Sequence, residues 1–349
     1  MNLDLSDDQA AFRDMLGAFF EKESPTGVVR AAEPLGFDAA LWRKVVGLGI
    51  GAISVPEHRG GGGAGFLELA IAAECAGRSL APVPLIEAAV AADLLASLSD
   101  GSDAQLAGLA SSAIAGDLLA TLALHPITGD VARLVPAGAV ADLVVVLRGD
   151  DLLLLRQADR SPEAPGAAVP NLGALPLADC RLDTGNVLVL ARGPEAVRAH
   201  RRAVCQWELL TAAALVGLGS KALEIGVEYV LQRQAFGVLI GTFQTIQHRL
   251  ADDVTALEGA RLLVYEAAWA QDEELATADT LATSAFLFAA EAAFQTASDS
   301  LHFHGGYGYT LEYDIQLYFR RAKAWPLIAG DSRAAYARLA HRLFDSVEA

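Results

Sequence analysis

The sequence predicts a mostly α protein with a small β-domain: an N-terminal helical domain over 1–122, an abbreviated middle β-domain over 123–194 and a C-terminal four-helix bundle over 195–349. Two observations carry this. Apolar residues recur at steps of three and four in the first and last parts of the chain, the spacing of one helix face. Between them the pattern breaks into short Val- and Leu-rich runs with polar turns, with Pro162, Pro165 and Pro170 in the connections. A chain of 349 residues has the length for two or three domains.

In the first part, Ser6 is a good N-cap, with Asp7 and Asp8 in the first turn where acids oppose the helix dipole. Phe12, Met15, Leu16 and Phe19 form the apolar stripe of that helix. Leu41-Trp42 and Val45-Val46 mark another helix, ended by Gly47 and Gly49. The run Val55 to Gly65, with four consecutive glycines, precedes a helix over Leu67–Ala76. It lacks the Lys-Ser/Thr of a P-loop, so a flexible loop is expected rather than a phosphate cradle. In the middle part, Leu143–Leu147 and Leu152–Leu155 read as a hairpin about the polar turn Arg148-Gly149-Asp150-Asp151. Asn171–Leu177 and Val187–Leu190 are the further strands expected.

The last part is organised around residues 233–253, a turn between two helices. Before it runs an Ala-rich stretch from Leu209 to Gln232 without proline. After it, Ile246, Leu250, Val254, Leu257, Arg261 and Val264 lie on one helix face. Gly237 and Gly241 punctuate the connection. Arg233 closes the first helix, where a cation meets the negative end of the dipole and can clamp a phosphate. Phe236 and Phe243 flank the turn, with Gln244 and Gln247 behind them. Taken by spacing alone, the segment is also a plain corner with a solvated Arg cap.

Composition narrows the function. A formal charge of −17 argues against nucleic acid or an anionic membrane as partner. Cys75, Cys180 and Cys205 are too far apart for a disulfide framework or a metal site and are expected as buried small hydrophobes. His302 and His304, two apart in a loop-like stretch, make a poor zinc signature, and no metal is expected. The acidic start of the chain has no basic signal-peptide region, and no run of about 18 uninterrupted apolar residues is present, so a cytoplasmic protein with no membrane span is expected.

The 233–253 segment resembles the Arg-x-x-Phe-Gly…Phe-Gln-x-x-Gln-His-x-Leu-Ala-Asp run of the acyl-CoA dehydrogenases, flavoproteins that desaturate acyl thioesters. A second stretch, His302 to Tyr313 followed by Phe319-Arg320-Arg321-Ala322-Lys323, is similar to the family's Gly-Gly-x-Gly-[Tyr/Phe] and Arg-Asp-Ala-[Lys/Arg] run. Phe37–Pro84 is similar to its N-terminal helical domain. The resemblance implies an acyl-CoA dehydrogenase-like fold and FAD as cofactor, with Arg233, Phe236, Phe243, Gln244, His302, Gly305 and Gly306 as the cofactor-binding residues. The β-domain departs from the family. At the place of its flavin-lining Thr-Glu-Pro-x-x-Gly-Ser-Asp segment stands Leu124-His125-Pro126-Ile127-Thr128-Gly129-Asp130, and nothing resembles its Trp-Ile-[Thr/Ser]-Asn segment.

Desaturation needs a desolvated carboxylate to remove the α-proton. The family places it in one of two positions, which by gapless counting fall here on Ala329 and Trp207. Glu208 is one residue, about 100° of helix, out of register and is a weak candidate base, with a helix-start acid of no catalytic role as the bland reading. Asp331 sits two positions late. A chain that keeps the segments lent to a neighbour's flavin while both base positions are empty looks like the non-catalytic subunit of a heteromeric α₂β₂ acyl-CoA dehydrogenase. Such enzymes act on bulky acyl-CoAs of the steroid-side-chain type. The resemblance then implies a catalytic acyl-CoA dehydrogenase subunit, an acyl-CoA substrate and electron-transfer flavoprotein as partners. Two alternatives stay open: a self-sufficient homotetramer using Glu208 or another base, and a catalytically silent flavin- or acyl-CoA-binding scaffold.

Overall fold

The structure is a computed structural model that describes residues 4–99, 103–183 and 185–344. Helices come first: α1 (Asp7–Glu23), α2 (Thr26–Ala31), α3 (Ala39–Gly47), α4 (Phe66–Arg78), α5 (Leu85–Leu98) and α6 (Ala104–Ala115). Strands follow: β1 (Ala120–Leu122), β2 (Val131–Val135), β3 (Leu143–Arg148), β4 (Asp151–Arg156), β5 (Ala178–Arg181) and β6 (Val187–Arg192). Helices then resume with α7 (Gly193–Val230), a short hairpin of β7 (Gln234–Ala235) and β8 (Val238–Leu239), α8 (Gln244–Asp272), α9 (Ala278–His304), α10 (Ile315–Leu327) and α11 (Ser332–Phe344). The mostly α class with a small β insert is therefore as the periodicity predicts, and α11 adds a fifth helix to the expected C-terminal four.

Local chemistry sets the helix ends. The Ser6 hydroxyl accepts from the Gln9 amide at 3.2 Å while the Gln9 side chain accepts from the Ser6 amide at 2.9 Å, a closed capping box. Asp38 caps α3 by accepting from the Leu41 amide at 2.7 Å, and Gly49 leaves that helix with φ +68°.

The chain divides into two compact units. One holds Val28–Leu69 and Pro82–Trp207, with strands β1 to β6. Its four-stranded sheet has the order β1-β3-β4-β6, with β1 parallel to β3 and the other pairs antiparallel; β2 and β5 pair separately. The expected hairpin is present, Arg148 opposite Asp151, and both its strands are apolar runs buried along their length. The strand expected over Asn171–Leu177 is not formed. The Asn171 side chain instead donates to the carbonyls of Val169 and Leu175, coiling that stretch, and the strand falls at Ala178–Arg181. The glycine loop is also not the flexible one expected: the amides of Gly61, Gly62, Gly63 and Ala64 donate to the carbonyls of Pro56, Ala52, Val55 and Ile53 at 2.9–3.3 Å. With those N–H groups spent, it is a fixed turn and no anion cradle.

The other unit comprises the chain up to Gly27, Ala70–Ala81 and the chain from Glu208 on. Here α8, α10 and α11 all pack on α9. The face of α8 differs from expectation at one place: Leu257 and Val264 are buried but Val254 is exposed, its turn of core being taken by Asp253. The last turn of α4 crosses α7 so closely that a Cβ at Gly217 would stand 1.9 Å from the Glu74 carbonyl oxygen, and one at Gly77 2.0 Å from that of Ala214. His302 and His304 end α9 rather than lying in a loop.

One 18-residue window of α7, of mean hydropathy 1.4, is long and apolar enough to cross a membrane by length and composition, which the search for an uninterrupted run missed. It is 67% buried inside the fold, as a core helix is. All three cysteines are buried, and burial pushes the Cys75 thiol up to about 12 and that of Cys180 to about 11.

The α4–α7 crossing yields a stability test. Gly217→Ala should cost about 1–3 kcal/mol or more, because two backbones must part to admit a methyl group. Gly17→Ala, on open helix surface, should be neutral or stabilising by roughly 0.5–1 kcal/mol. Urea unfolding of both variants measures the contrast.

Candidate functional site

The segment after α7 is a two-residue hairpin rather than a plain corner. The Arg233 amide closes the helix by donating to the Tyr229 carbonyl at 2.9 Å, and the Ile240 amide returns to the Arg233 carbonyl at 2.9 Å. Pairing of Ala235 with Val238 leaves Phe236 and Gly237 as the loop, with φ +54° and +82°. Positive φ at both loop positions is what a tight hairpin requires; glycine takes it freely and phenylalanine does not. Phe236 is nonetheless there, 97% exposed, its ring edge-on to Phe243 at 6.4 Å. A strained, fully solvated aromatic at a loop tip stabilises nothing within this chain.

The root of the hairpin is apolar: Val230, Ile240 and Phe303 are buried together, with Tyr229, Phe243 and Ile246 packed against them. Phe303 brings in the last turn of α9. Its neighbour His304 is buried and stacks on Tyr229 at 3.9 Å, with Tyr313 edge-on at 5.5 Å. Burial lowers its pKa, and its Nδ1 donates to the Ser300 carbonyl at 2.7 Å, so the neutral ring holds its proton on that nitrogen. His302, on the opposite side of the turn, is exposed. Gly305 follows at φ +59°, ψ −140°, a conformation essentially restricted to glycine. A Cβ at Gly305 or Gly306 would meet nothing within 4 Å, so the backbone there faces open space.

All seven residues expected at a flavin thus lie in one compact unit, at the hairpin and the ends of α8 and α9 tied together through Phe303. Arg233 and Gln244 are exposed, and among the described residues the Arg233 guanidinium pairs with no carboxylate. An unpaired cation, an outward aromatic and bare glycine backbone are suited to a phosphate-bearing ring system such as FAD. Tyr307, Tyr309 and Leu311 extend the exposed apolar surface beside them. The clamp made by Tyr229 and Tyr313 was not foreseen. The aromatic run around Tyr313 was visible, but Tyr229 joins it only through the packing of α7.

The base positions look different. Glu208 is 3% exposed; its Oε2 accepts from the Thr283 hydroxyl at 2.6 Å, and Arg338 stands 3.9 Å from Oε1. Burial raises its pKa, opposed by Thr283, Arg338 and Arg342. It lies about 33 Å from the end of α7 at 1.5 Å rise per residue, far from the hairpin. Trp207 is buried in the other unit, its indole N–H donating to Glu87 at 3.2 Å, and burial raises the pKa of Glu87. Ala329 sits in the turn after α10, and Asp331 accepts from the Arg333 amide at 2.9 Å as a cap of α11. At the departure in the β-domain, Ile127 bridges to Arg148, which also pairs with Asp130 at 3.3 Å.

The chain belongs to the acyl-CoA dehydrogenase family. Residues 6–117 match the model of its N-terminal domain and residues 207–344 that of its C-terminal domain. Among individual proteins, it is 31% identical to acyl-CoA dehydrogenase IpdE2 of Mycolicibacterium smegmatis over 97% of this chain and 100% of that one. The ChsE4-ChsE5 complex from Mycobacterium tuberculosis contains a chain 27% identical, with full coverage of both and a TM-score of 0.87. A variant of the Tcur3481-Tcur3483 steroid ACAD is likewise 27% identical, with a TM-score of 0.83 over 98% of this chain and 99% of that one.

Because the fold gains nothing from Phe236, Phe236→Asn should leave the melting temperature unchanged or raise stability by up to about 1 kcal/mol, as an Asn-Gly pair suits this turn. A marked loss of stability on thermal unfolding would show that the ring supports the fold.

Proposed function

We propose that this chain is the non-catalytic subunit of a heteromeric FAD-dependent acyl-CoA dehydrogenase, lending the hairpin and the end of α9 to flavin held by a catalytic partner. The observation that carries the reading is the exposed Phe236, held at positive φ three residues after Arg233, whose guanidinium pairs with no carboxylate among the described residues. Support for a two-component enzyme comes from the similarity to chains of two complexes with paired components, ChsE4-ChsE5 and Tcur3481-Tcur3483. The second is a steroid ACAD, which favours a bulky, steroid-type acyl-CoA as substrate here. In this reading 1–122 and 123–194 are the helical and abbreviated β-domains, 195–349 is the lending bundle, the assembly is α₂β₂ and cytoplasmic, and electron-transfer flavoprotein takes its electrons.

Bound FAD supplies the acceptor for the β-hydride when an acyl-CoA is desaturated. Arg233 holds a phosphate or ribose oxygen, since an interfacial guanidinium gives a charge-assisted hydrogen bond. Phe236, backed by Phe243, packs beside the cofactor and excludes water, and Gln244 donates from the start of α8. Gly305 and Gly306 let the backbone approach the pyrophosphate with no Cβ in the way, beside the exposed His302, while the Gly305 amide itself donates to the His302 carbonyl. The proton at the substrate α-carbon is removed by the partner's carboxylate, because Ala329 and Trp207 accept none. A self-sufficient enzyme is favoured by one observation, the raised proton affinity of buried Glu208. Against it, that carboxyl is engaged by Thr283 and faced by Arg338.

The test is co-expression with the catalytic subunit. The chain alone should be colourless and the complex yellow. Arg233→Ala should strip flavin from the complex, a contact worth roughly 1.5–3 kcal/mol; unchanged flavin content refutes the assignment. Glu208→Gln should leave turnover within about a few fold, where loss of a true general base removes about 10²–10⁴-fold. A complex that keeps its flavin yet falls by that factor makes Glu208 the base.

A further inference from the structure

Beneath the flavin-facing edge lies a charged cluster that the proposed function leaves unused. Arg249 Nη1 donates to Asp299 Oδ1 at 2.5 Å, and Gln295 Nε2 donates to Asp299 Oδ2 at 2.8 Å. Asp299 is buried, while Arg249 is about half exposed. The pair joins α8 to α9 at a telling place. Arg249 is a turn and a half after Gln244, and Asp299 is one turn before His302 and two before Gly306. Asp253 lies one turn further along α8, 3% exposed, where the charges of Asp299 and Arg249 and the Thr296 hydroxyl of α9 act on it.

Resting on the reading above, we infer that the Arg249–Asp299 pair, with Asp253 as its competitor, positions the α8 and α9 halves of the flavin-facing edge relative to each other. These are positioning residues, acting through Gln244 on one helix and His302 to Gly306 on the other. The pair is a polar bridge between α8 and α9, with the Thr296 hydroxyl of α9 beside Asp253, so its state sets how closely those ends are held.

The bridge carries its own pH dependence. Burial and the facing Asp299 push the Asp253 carboxyl up to about 6. The charged groups facing it are Asp299 from α9 and Arg249 and Asp252 from its own helix. α7 meets α9 nearby through Gly226 against Ser300, which brings no charge. Below about 6 Asp253 is neutral and Arg249 serves Asp299 alone. Above it, a second carboxylate repels Asp299 and competes for the guanidinium. The stabilisation from holding that proton is complete below the ordinary aspartate range and is lost as pH rises through about 6.

The experiment measures FAD dissociation from the co-expressed complex between pH 5.5 and 8, by flavin absorbance after dialysis, for wild type and for Arg249→Ala, Arg249→Lys, Asp253→Asn and Arg233→Ala. Wild type should bind flavin more weakly as pH passes about 6, by roughly threefold or more. Asp253→Asn should flatten that dependence and bind more tightly than wild type at pH 7.5. Arg249→Ala should weaken binding about tenfold, and Arg249→Lys should restore most of it. An Asp253→Asn complex that follows the wild-type pH curve overturns the inference, as does a folded Arg249→Ala complex of unchanged affinity. Should Arg249→Ala not fold, the Asp253→Asn comparison decides alone. If Arg233→Ala also keeps its flavin, it is the reading of the edge that fails; if only Arg233→Ala loses it, the positioning role fails and the edge stands.

Discussion

The helical unit depends on two backbones touching. Where α4 crosses α7, Gly77 lies on Ala214 and Gly217 on Glu74, with no room for a single methyl group at either glycine. Contact this close puts α4 side chains within reach of several helices. Glu74 accepts from Arg261 of α8 at 2.9 Å, and Arg78 pairs with Glu224 of α7 at 2.5 Å. Arg261 also donates to Ser220 at 2.9 Å and to Glu258. The glycines set the spacing, and the charges, partly buried and mutually satisfied, then specify which faces meet. A short segment from early in the chain is thereby built into a unit formed mostly by its last 142 residues. Two of the elements that carry the candidate site, α7 and α8, are tied directly to that crossing.

The candidate site and the fold make opposite demands on the same residues. Phe236 adopts a backbone conformation that its side chain resists and exposes a ring that its own chain leaves uncovered. Asp253 places a carboxyl in the apolar face where the periodicity called for Val254. Such departures from local rules persist when something outside the folding problem selects them.

Much of this was legible in the sequence. The helix start at Ser6, the β3–β4 hairpin and the Arg233–Phe236 turn between two helices could be read off because each is a local pattern. What could not be read was tertiary. Asn171–Leu177 has strand-like composition, but a single amide side chain claims its carbonyls first. The glycine loop looked loose because the carbonyls that fix it belong to residues up to eleven positions earlier. Glu208 looked like an ordinary helix-start acid, and only the arrival of α9 and α11 shows it buried against Thr283 and Arg338. The ion pair of Arg249 with Asp299, fifty residues apart, was invisible for the same reason.

The three buried cysteines divide between the two compact units: Cys75 belongs to the helical one, Cys180 and Cys205 to the one with the sheet. Shielded from solvent, and with thiolate formation suppressed at Cys75 and Cys180, they are poor nucleophiles in the native protein. Alkylation therefore requires that the surrounding structure open. Each thiol is a built-in clock for the unit that encloses it, and mass spectrometry of labelled peptides would time the opening of the two units separately, without a reporter having to be introduced.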